Sequence, residues 1–300
     1  MAVGEANLGD LLPVAGLRLA TVSAGIKKPG RRDLVLMALA SGSHVAGVFT
    51  PNAFCAAPVV VARAHLAASR QQPAYLLVNT GNANAGTGEP GLADAQRCAG
   101  AVAELTGVPT EAVLPFSTGV IGEPLPVQKI VDVLPQALAE LREDGWLDAA
   151  HGIMTTDTRP KACSVRFSCN GRSHVLTGIA KGAGMLRPNM ATMLAYLATD
   201  VAVSPALLQT LLADAVDMSF NRITVDGDTS TNDACMLVAT GAAGNTLLES
   251  TDEPLYAALR DALQEACVTL AQGLVRDGEG ASKFVTVQVN GGGDEQECLD

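Results

Sequence analysis

The sequence ACSVRFSCNGRSHVLTGIAKGAGMLRPNMATMLAYLA, residues 162–198, indicates the fold of this chain. Two apolar, strand-like runs, 162–168 and 173–180, flank an Asn-Gly pair, which is the strongest short-range signal for a β-hairpin. A third strand pattern covers residues 192–198. The stretch therefore predicts neighbouring strands, with a loop rich in glycine and proline between the second and the third.

Short apolar runs and helical patterns alternate along the rest of the chain. Further strands are predicted at 34–40, 45–49, 58–62, 74–79, 222–225, 234–240 and 283–289. Helices are predicted at 92–106, at 126–142, from Ser204-Pro205 onward, and at about 254–275. Because hairpins and crossover connections occur together, we expect a layered α/β fold with a mixed sheet.

The composition predicts a globular chain with an aliphatic core. Hydrophobic residues make up 48% of the 300 residues and charged residues only 17%, which excludes an intrinsically disordered chain. Aromatic residues make up 3%, so small and aliphatic side chains must fill the interior.

Charge and local composition narrow the choice of partners and location. Twenty basic and 31 acidic residues give a net charge of −11, which argues against nucleic acid or an anionic membrane as a partner. The first ten residues lack the features of a secretory signal, and glycines and prolines interrupt the uncharged stretch 34–62. Seven scattered cysteines without a C-x-x-C pair indicate reduced thiols. We expect a cytoplasmic protein without a metal site.

Four polar, glycine-rich segments interrupt the apolar pattern and are candidates for function, namely 79–88, 116–122, 181–194 and 224–233. In the third of these, glycines and a proline lead to Ala191-Thr192. A threonine needs a base to become a nucleophile, and all four histidines lie away from these segments. Cleavage before Thr192 would supply its own α-amino group, whose pKa of about 7.7–8.0 suits a base near neutral pH. An ordinary strand threonine is the alternative.

These segments resemble one known family in order and over essentially the whole chain. KGAGMLRPNMATML (181–194) resembles the self-cleavage segment of the ornithine acetyltransferase (bifunctional glutamate N-acetyltransferase) family. The other matching segments are NTGNANAGTG (79–88), STGVIGEPLP (117–126), MTTDT (154–158), SFNRITVDGDTSTND (219–233) and RDGEGASKFVTVQV (276–289). The chain is identified as a member of this family.

The resemblance implies a fold and a processing step. The expected fold is the family's layered mixed-sheet sandwich, cleaved between Ala191 and Thr192. The resulting chains, 1–191 and 192–300, would stay associated as one co-folded unit, and two such pairs would form a dimer. Family members also continue past a KFVTVQV-like strand into a segment with a DPNWGR-like motif. That motif does not occur here, so the second chain is incomplete relative to the family.

The resemblance also implies residue roles and a reaction. Thr192 would be the nucleophile, and Thr118 and Gly119 would stabilise the oxyanion. Substrate contacts are implied for Thr155, Lys181, Thr192 and Glu279. Thr192 would take the acetyl group from N2-acetylornithine and pass it to glutamate in arginine biosynthesis. No cofactor is implied. Some members also accept acetyl-CoA as donor, and the sequence leaves this open.

The residues also admit other interpretations. A self-cleaved threonine aminopeptidase or amidase would use the same nucleophile and pass the acyl group to water, and a non-catalytic scaffold is a third class. The G-x-G-x-x-G pattern at 86–91 lies too far from the preceding predicted strand for a dinucleotide-binding turn. A calcium loop starting at Asp226 is excluded because Leu237 stands where a bidentate glutamate belongs.

Overall fold

The structure is a computed structural model that describes residues 2–4, 8–185, 193–294 and 297–298. The predicted cleavage point, Ala191-Thr192, lies outside the described residues. Within them the chain forms nine strands: β1 (Leu17–Val22), β2 (Leu34–Leu39), β3 (His44–Phe49), β4 (Tyr75–Asn82), β5 (Val113–Val120), β6 (Lys161–Cys169), β7 (Arg172–Lys181), β8 (Leu194–Thr199) and β9 (Ala234–Ala239). The α-helices are α1 (Ala57–Ala68), α2 (Gly88–Thr106), α3 (Val127–Ala139), α4 (Trp146–Gly152), α5 (Pro205–Asp217) and α6 (Pro254–Arg276).

The strands form two mixed sheets. The four-stranded sheet has the order β1-β2-β4-β5, and the five-stranded sheet has the order β3-β9-β8-β7-β6. Each sheet contains one parallel pair, β4 with β5 and β8 with β9, while the other neighbours are antiparallel. The prediction of an α/β fold with mixed sheets is therefore confirmed.

The two sheets pack face to face between two outer layers of helices. Alternate residues of both sheets fill the space between them, and the rings of Phe116 and Tyr196 meet there edge to face with centroids 5.4 Å apart. Helices α2 and α3 cover the other face of the four-stranded sheet, and α5 and α6 cover that of the five-stranded sheet. The result is a four-layer α/β/β/α sandwich.

The β6–β7 hairpin forms as its turn chemistry predicts. Asn170 and Gly171 both have positive φ, 51° and 75°, and Cys169 faces Arg172 across the turn. Both positions of a type I′ turn require positive φ, which asparagine and glycine tolerate best. The predicted helices are also present.

Three of the predicted strands are wrong. Residues 58–62 lie in α1, because Pro58 suits the first turn of a helix and the run buries one helical face through Val59, Ala62 and Leu66. Residues 222–225 lie in a short 3₁₀ turn and a loop, where the apolar side chains pack beside α5 and α6 without strand pairing. Residues 283–289 form no strand among the described residues, and three of their valines are exposed.

No helix among the described residues has both the length and the apolar character that crossing a bilayer requires.

A buried cluster of charges joins distant parts of the chain. The ammonium of Lys161, at the start of β6, lies 2.5 Å from Asp157 Oδ1 and 2.6 Å from Asp277 Oδ2, and it donates to the Gly182 carbonyl at 3.1 Å. All three charged side chains are almost inaccessible to solvent. Asp277 follows α6 directly, so this cluster fixes the end of that helix to the start of β6 and to the segment after β7.

The same contacts hold both aspartates in the ionised form. Burial alone would raise the pKa of Asp157, but the charges of Lys181 and Lys161 and the hydrogen bonds outweigh it, so the pKa lies below its ordinary value. Burial likewise opposes the shift at Asp277, whose pKa is lowered by its hydrogen bonds from Lys161 and Thr158 and by the Lys161 charge.

We expect Lys161→Met to lower the free energy of unfolding at pH 7 by about 3–5 kcal/mol, because it leaves two buried carboxylates without their shared cation. Urea denaturation followed by circular dichroism measures the change. Lys283→Met, at an exposed lysine outside the cluster, is the control and should stay within about 0.5 kcal/mol of the parent.

The pH dependence separates charge from packing in this test. A lowered pKa in the folded state gives stability that is fully present above the ordinary aspartate pKa of about 3.9 and is lost as the pH falls through the lower, folded-state value. The difference in free energy of unfolding between the parent and Lys161→Met should therefore become smaller in acid. A difference that stays constant from pH 7 to pH 3 would contradict the assigned role of the charges.

Candidate functional site

A cavity of about 610 Å³ opens where the ends of β4, β5 and β7 meet. Five residues predicted to act in binding or catalysis line it, namely Thr118, Gly119, Thr155, Lys181 and Glu279. They come from four separate segments of the sequence. The remaining predicted residues, Ala191 and Thr192, lie outside the described part of the chain.

One wall of the cavity is formed by glycine backbone, at the point where β4 and β5 approach closely. Gly81 and Gly119 are opposite each other in the parallel pair, beside an irregularity in the register. A Cβ at Gly119 would lie 2.3 Å from the Gly81 carbonyl carbon, and its φ of 136° is rare for any residue with a side chain. Only glycine fits at position 119, and its backbone is left open toward the cavity.

Lys181 is a buried cation at the end of β7. Its ammonium donates a hydrogen bond to Thr118 Oγ1 at 3.0 Å, which joins the two sheets at the cavity. Burial lowers the pKa of Lys181, and the nearby charge of Lys161 adds to this, while Asp157, Asp233 and Glu279 act in the opposite direction. Because it lines the cavity, the ammonium can meet a substrate carboxylate with little competing water.

Asp157 connects two walls of the cavity, a role that sequence reasoning missed. Its Oδ1 accepts from the Gly182 amide at 2.7 Å, and its Oδ2 accepts from the Thr155 amide at 2.9 Å. The residue after Lys181 and the residue predicted to contact substrate are therefore held by one carboxylate. Its position inside the MTTDT motif, two residues after Thr155, was the available signal.

Glu279 lies against the segment that follows Lys181. Its amide donates to the Ala183 carbonyl at 2.6 Å, and a Cβ at Gly184 would lie 3.1 Å from the Glu279 carboxylate. The side chain is exposed at the cavity rather than buried behind it. A carboxylate in this place can attract a cationic part of a ligand.

Behind the cavity, buried amides support the irregular loops. Ser117 Oγ donates to Asn79 Oδ1 at 2.5 Å, and Asn79 Nδ2 donates to the Asn82 carbonyl at 2.9 Å. Asn232 Nδ2 bridges the Ser117 and Ala83 carbonyls at 2.9 and 2.6 Å. Much of the polar character of segments 79–88 and 224–233 therefore satisfies backbone groups that no sheet pairs.

The described residue that follows the predicted nucleophile is firmly held. The Met193 amide donates to Asp233 Oδ1 at 2.9 Å, and the next residue, Leu194, is opposite Lys181 in the β7–β8 pair. The chain thus enters β8 beside the end of β7 that carries the buried lysine.

Sequence reasoning also missed the charges around the mouth of the cavity. Lys27, Lys28 and Arg31, from the loop between β1 and β2, contribute to the lining, as do Asp226 and Asp228. The signal was the run of four basic residues within residues 27–32.

The four histidines lie away from the cavity, as their positions in the sequence predict. None of the four lines the cavity. His65 Nδ1 lies 2.8 Å from the Val113 carbonyl oxygen, and His44 Nδ1 lies 2.8 Å from the Val203 carbonyl oxygen.

Comparison with known proteins identifies relatives along the whole chain. A model of the ArgJ family matches residues 18–300. The arginine biosynthesis bifunctional protein ArgJ of Pseudomonas fluorescens (strain Pf0-1) is 59% identical over 300 residues, which cover 100% of this chain and 73% of that protein.

Two solved structures are similar over a smaller part of the chain. The crystal structure of arginine biosynthesis bifunctional protein argJ from Bacillus halodurans has a TM-score of 0.52 and 34% sequence identity, covering 59% of this chain and 92% of that one. The crystal structure of ornithine acetyltransferase complexed with ornithine from Mycobacterium tuberculosis has a TM-score of 0.50 and 34% sequence identity. The match covers 60% of this chain and 95% of that one. Together with the family match and the 59% identity, these findings establish that the chain belongs to the ArgJ family.

Proposed function

We propose that this chain transfers the acetyl group of N2-acetylornithine to glutamate through an acetylated Thr192, and so acts in arginine biosynthesis. Its membership in the ArgJ family supports this. The observation that carries the proposal is that Thr118, Gly119, Thr155, Lys181 and Glu279, from four separate motifs, line one cavity.

The proposal includes cleavage between Ala191 and Thr192. The anchoring of Met193 to Asp233 and the pairing of Leu194 with Lys181 support it, because they fix the chain just after the cut next to the cavity. Strand β8 lies between β7 and β9 within one sheet, so the chains 1–191 and 192–300 would stay associated after cleavage. In keeping with the family resemblance, two cleaved pairs form a dimer in the cytoplasm.

In the first half-reaction the Thr192 hydroxyl attacks the acetyl carbonyl of the donor, while the freed α-amino group accepts the hydroxyl proton. The tetrahedral oxygen becomes negative and is stabilised at Thr118 and Gly119, where the absence of a side chain allows close approach of backbone. The proton passes to the departing amine, ornithine leaves, and the acetyl group remains as an ester on Thr192.

In the second half-reaction the amine of glutamate attacks this ester and regenerates the threonine. Lys181 binds a substrate carboxylate, Glu279 faces the cationic end of the donor, and Thr155 contacts substrate in the wall that Asp157 holds. The reaction needs no cofactor or metal, and use of acetyl-CoA as a second donor is measured by N-acetylglutamate formation without N2-acetylornithine.

The decisive experiment supplies N2-acetylornithine with and without glutamate and follows ornithine release. Transfer predicts continued release only when glutamate is present, together with stoichiometric N-acetylglutamate. Release that continues without glutamate would instead support the amidase alternative, and no release at all would support a non-catalytic scaffold.

We expect Thr192→Val to remain one chain and to lose acetyl transfer, because valine has no hydroxyl to attack either the Ala191 carbonyl or the substrate. Denaturing mass spectrometry should give one mass for this variant and two masses, split before residue 192, for the parent. Thr210→Val, on the exposed side of α5, is the matched control and should be cleaved and active. Normal turnover by the valine variant would contradict the assignment.

We expect Lys181→Ala to raise the Michaelis constants of both substrates and to lower kcat/KM by roughly 10- to 100-fold, because a charge-assisted contact to a carboxylate is lost. Steady-state kinetics with each substrate varied in turn measures the effect, and thermal unfolding reports whether the variant is folded. Unchanged Michaelis constants for both substrates in a folded variant would remove Lys181 from the binding site.

A further inference from the structure

The charged residues that line the cavity come from different segments of the chain. Lys27, Lys28 and Arg31, from the loop between β1 and β2, form a basic rim. An acidic rim is formed by Asp226, Asp228 and Glu279, from segments on the C-terminal side of β8. A ligand in this cavity therefore meets both cationic and anionic side chains.

The loop that carries the basic rim is held in place by hydrogen bonds to its backbone and from Arg31. The carboxylate of Asp33 is buried and accepts the amides of Ala24 and Ile26, each at 2.7 Å. Lys129 donates to the Gly25 carbonyl at 2.7 Å, and the Arg31 guanidinium donates to the Met154 carbonyl at 2.5 Å. The loop is thus preorganised, and ordering it on ligand binding costs little entropy.

The two lysines line the same cavity as Gly119 and are available to a ligand. A Cβ at Gly81 would lie 3.0 Å from the Lys27 Cβ, and Gly81 is the strand partner of Gly119. Both Lys27 and Lys28 are exposed, and no carboxylate of the described residues lies within 4.0 Å of either ammonium. Neither charge is therefore paired with a carboxylate in the part of the chain that the structure describes.

The two proposed substrates differ in the charge at the end of their side chains. N2-acetylornithine ends in an ammonium and glutamate ends in a carboxylate, while both carry an α-carboxylate for Lys181. We propose that Lys27 and Lys28 form the subsite for the side-chain carboxylate of the acceptor amino acid. This inference rests on the proposed function. The donor's side chain lies toward the acidic rim, so one cavity serves both substrates in turn.

Phosphate groups of an acetyl-CoA donor would be attracted by the same cations. Binding of the glutamate carboxylate can be distinguished from binding of the acetyl-CoA phosphates. The acceptor glutamate enters only the second half-reaction, whereas the donor acetyl-CoA enters only the first. The test therefore measures the two half-reactions separately.

The test is the double variant Lys27→Gln/Lys28→Gln. We expect it to raise the KM for glutamate roughly 10-fold, since contacts to one carboxylate are lost. The single burst of ornithine released from N2-acetylornithine in the absence of glutamate should keep the parent's rate. The preference for glutamate over glutamine as acceptor should fall by a similar factor. Lys283→Gln, at an exposed lysine outside the cavity, should match the parent in all three measurements.

Several outcomes would overturn the inference. An unchanged KM for glutamate would do so, and so would an equal loss in the ornithine burst, which would indicate a general effect on the site. A raised KM for acetyl-CoA with an unchanged KM for glutamate would assign the lysines to phosphate instead. Absence of transfer by the parent chain would refute the proposed function itself, which is a separate result.

Discussion

The ammonium of Lys161 is the contact on which the arrangement of this site depends. It is shared between Asp157 and Asp277, and it also reaches the carbonyl of Gly182, so one cation joins three segments. Each of these segments leads within two residues to a side chain that lines the cavity: Thr155, Lys181 or Glu279. A buried charge of this kind adds little net stability compared with an apolar residue, but it penalises any arrangement in which one partner is missing. The positions of these three cavity-lining segments therefore depend on one another through the Lys161 ammonium.

The second constraint is the close approach of β4 and β5 at Gly81 and Gly119. The backbones are so near that a single methyl group at position 119 would overlap the neighbouring strand. Parallel pairing brings the ends of both strands to the same edge, and the buried amides around Asn79 and Asn232 then satisfy the groups that the irregular register leaves unpaired. The glycines in these segments thus allow the strands to approach, and the asparagines bind unpaired backbone groups, in addition to any part in the proposed chemistry.

The sequence predicted those features that local chemistry or whole motifs determine. The Asn-Gly turn at 170–171 defines its hairpin with no help from distant residues, and the motifs named five residues that do line one cavity. In contrast, the five-residue apolar run 58–62, with three valines, is too short to distinguish a strand from a helix. The residues form a helix because that conformation buries one face of the run. The link between Lys161 and Asp277 spans 116 positions, and no local pattern encodes such a contact. The same holds for the approach of Lys27 to Gly81.

The order of strands in the larger sheet has a consequence for how the protein is made. β3 is an edge strand whose neighbour is β9, and β7 is bordered on one side by β8, so both depend on residues encoded after position 192. A polypeptide ending at residue 191 would expose the backbone edges of both strands, and open edges of this kind recruit other chains into aggregates. Synthesis as a single polypeptide, with any scission delayed until the sheet has closed, avoids that hazard.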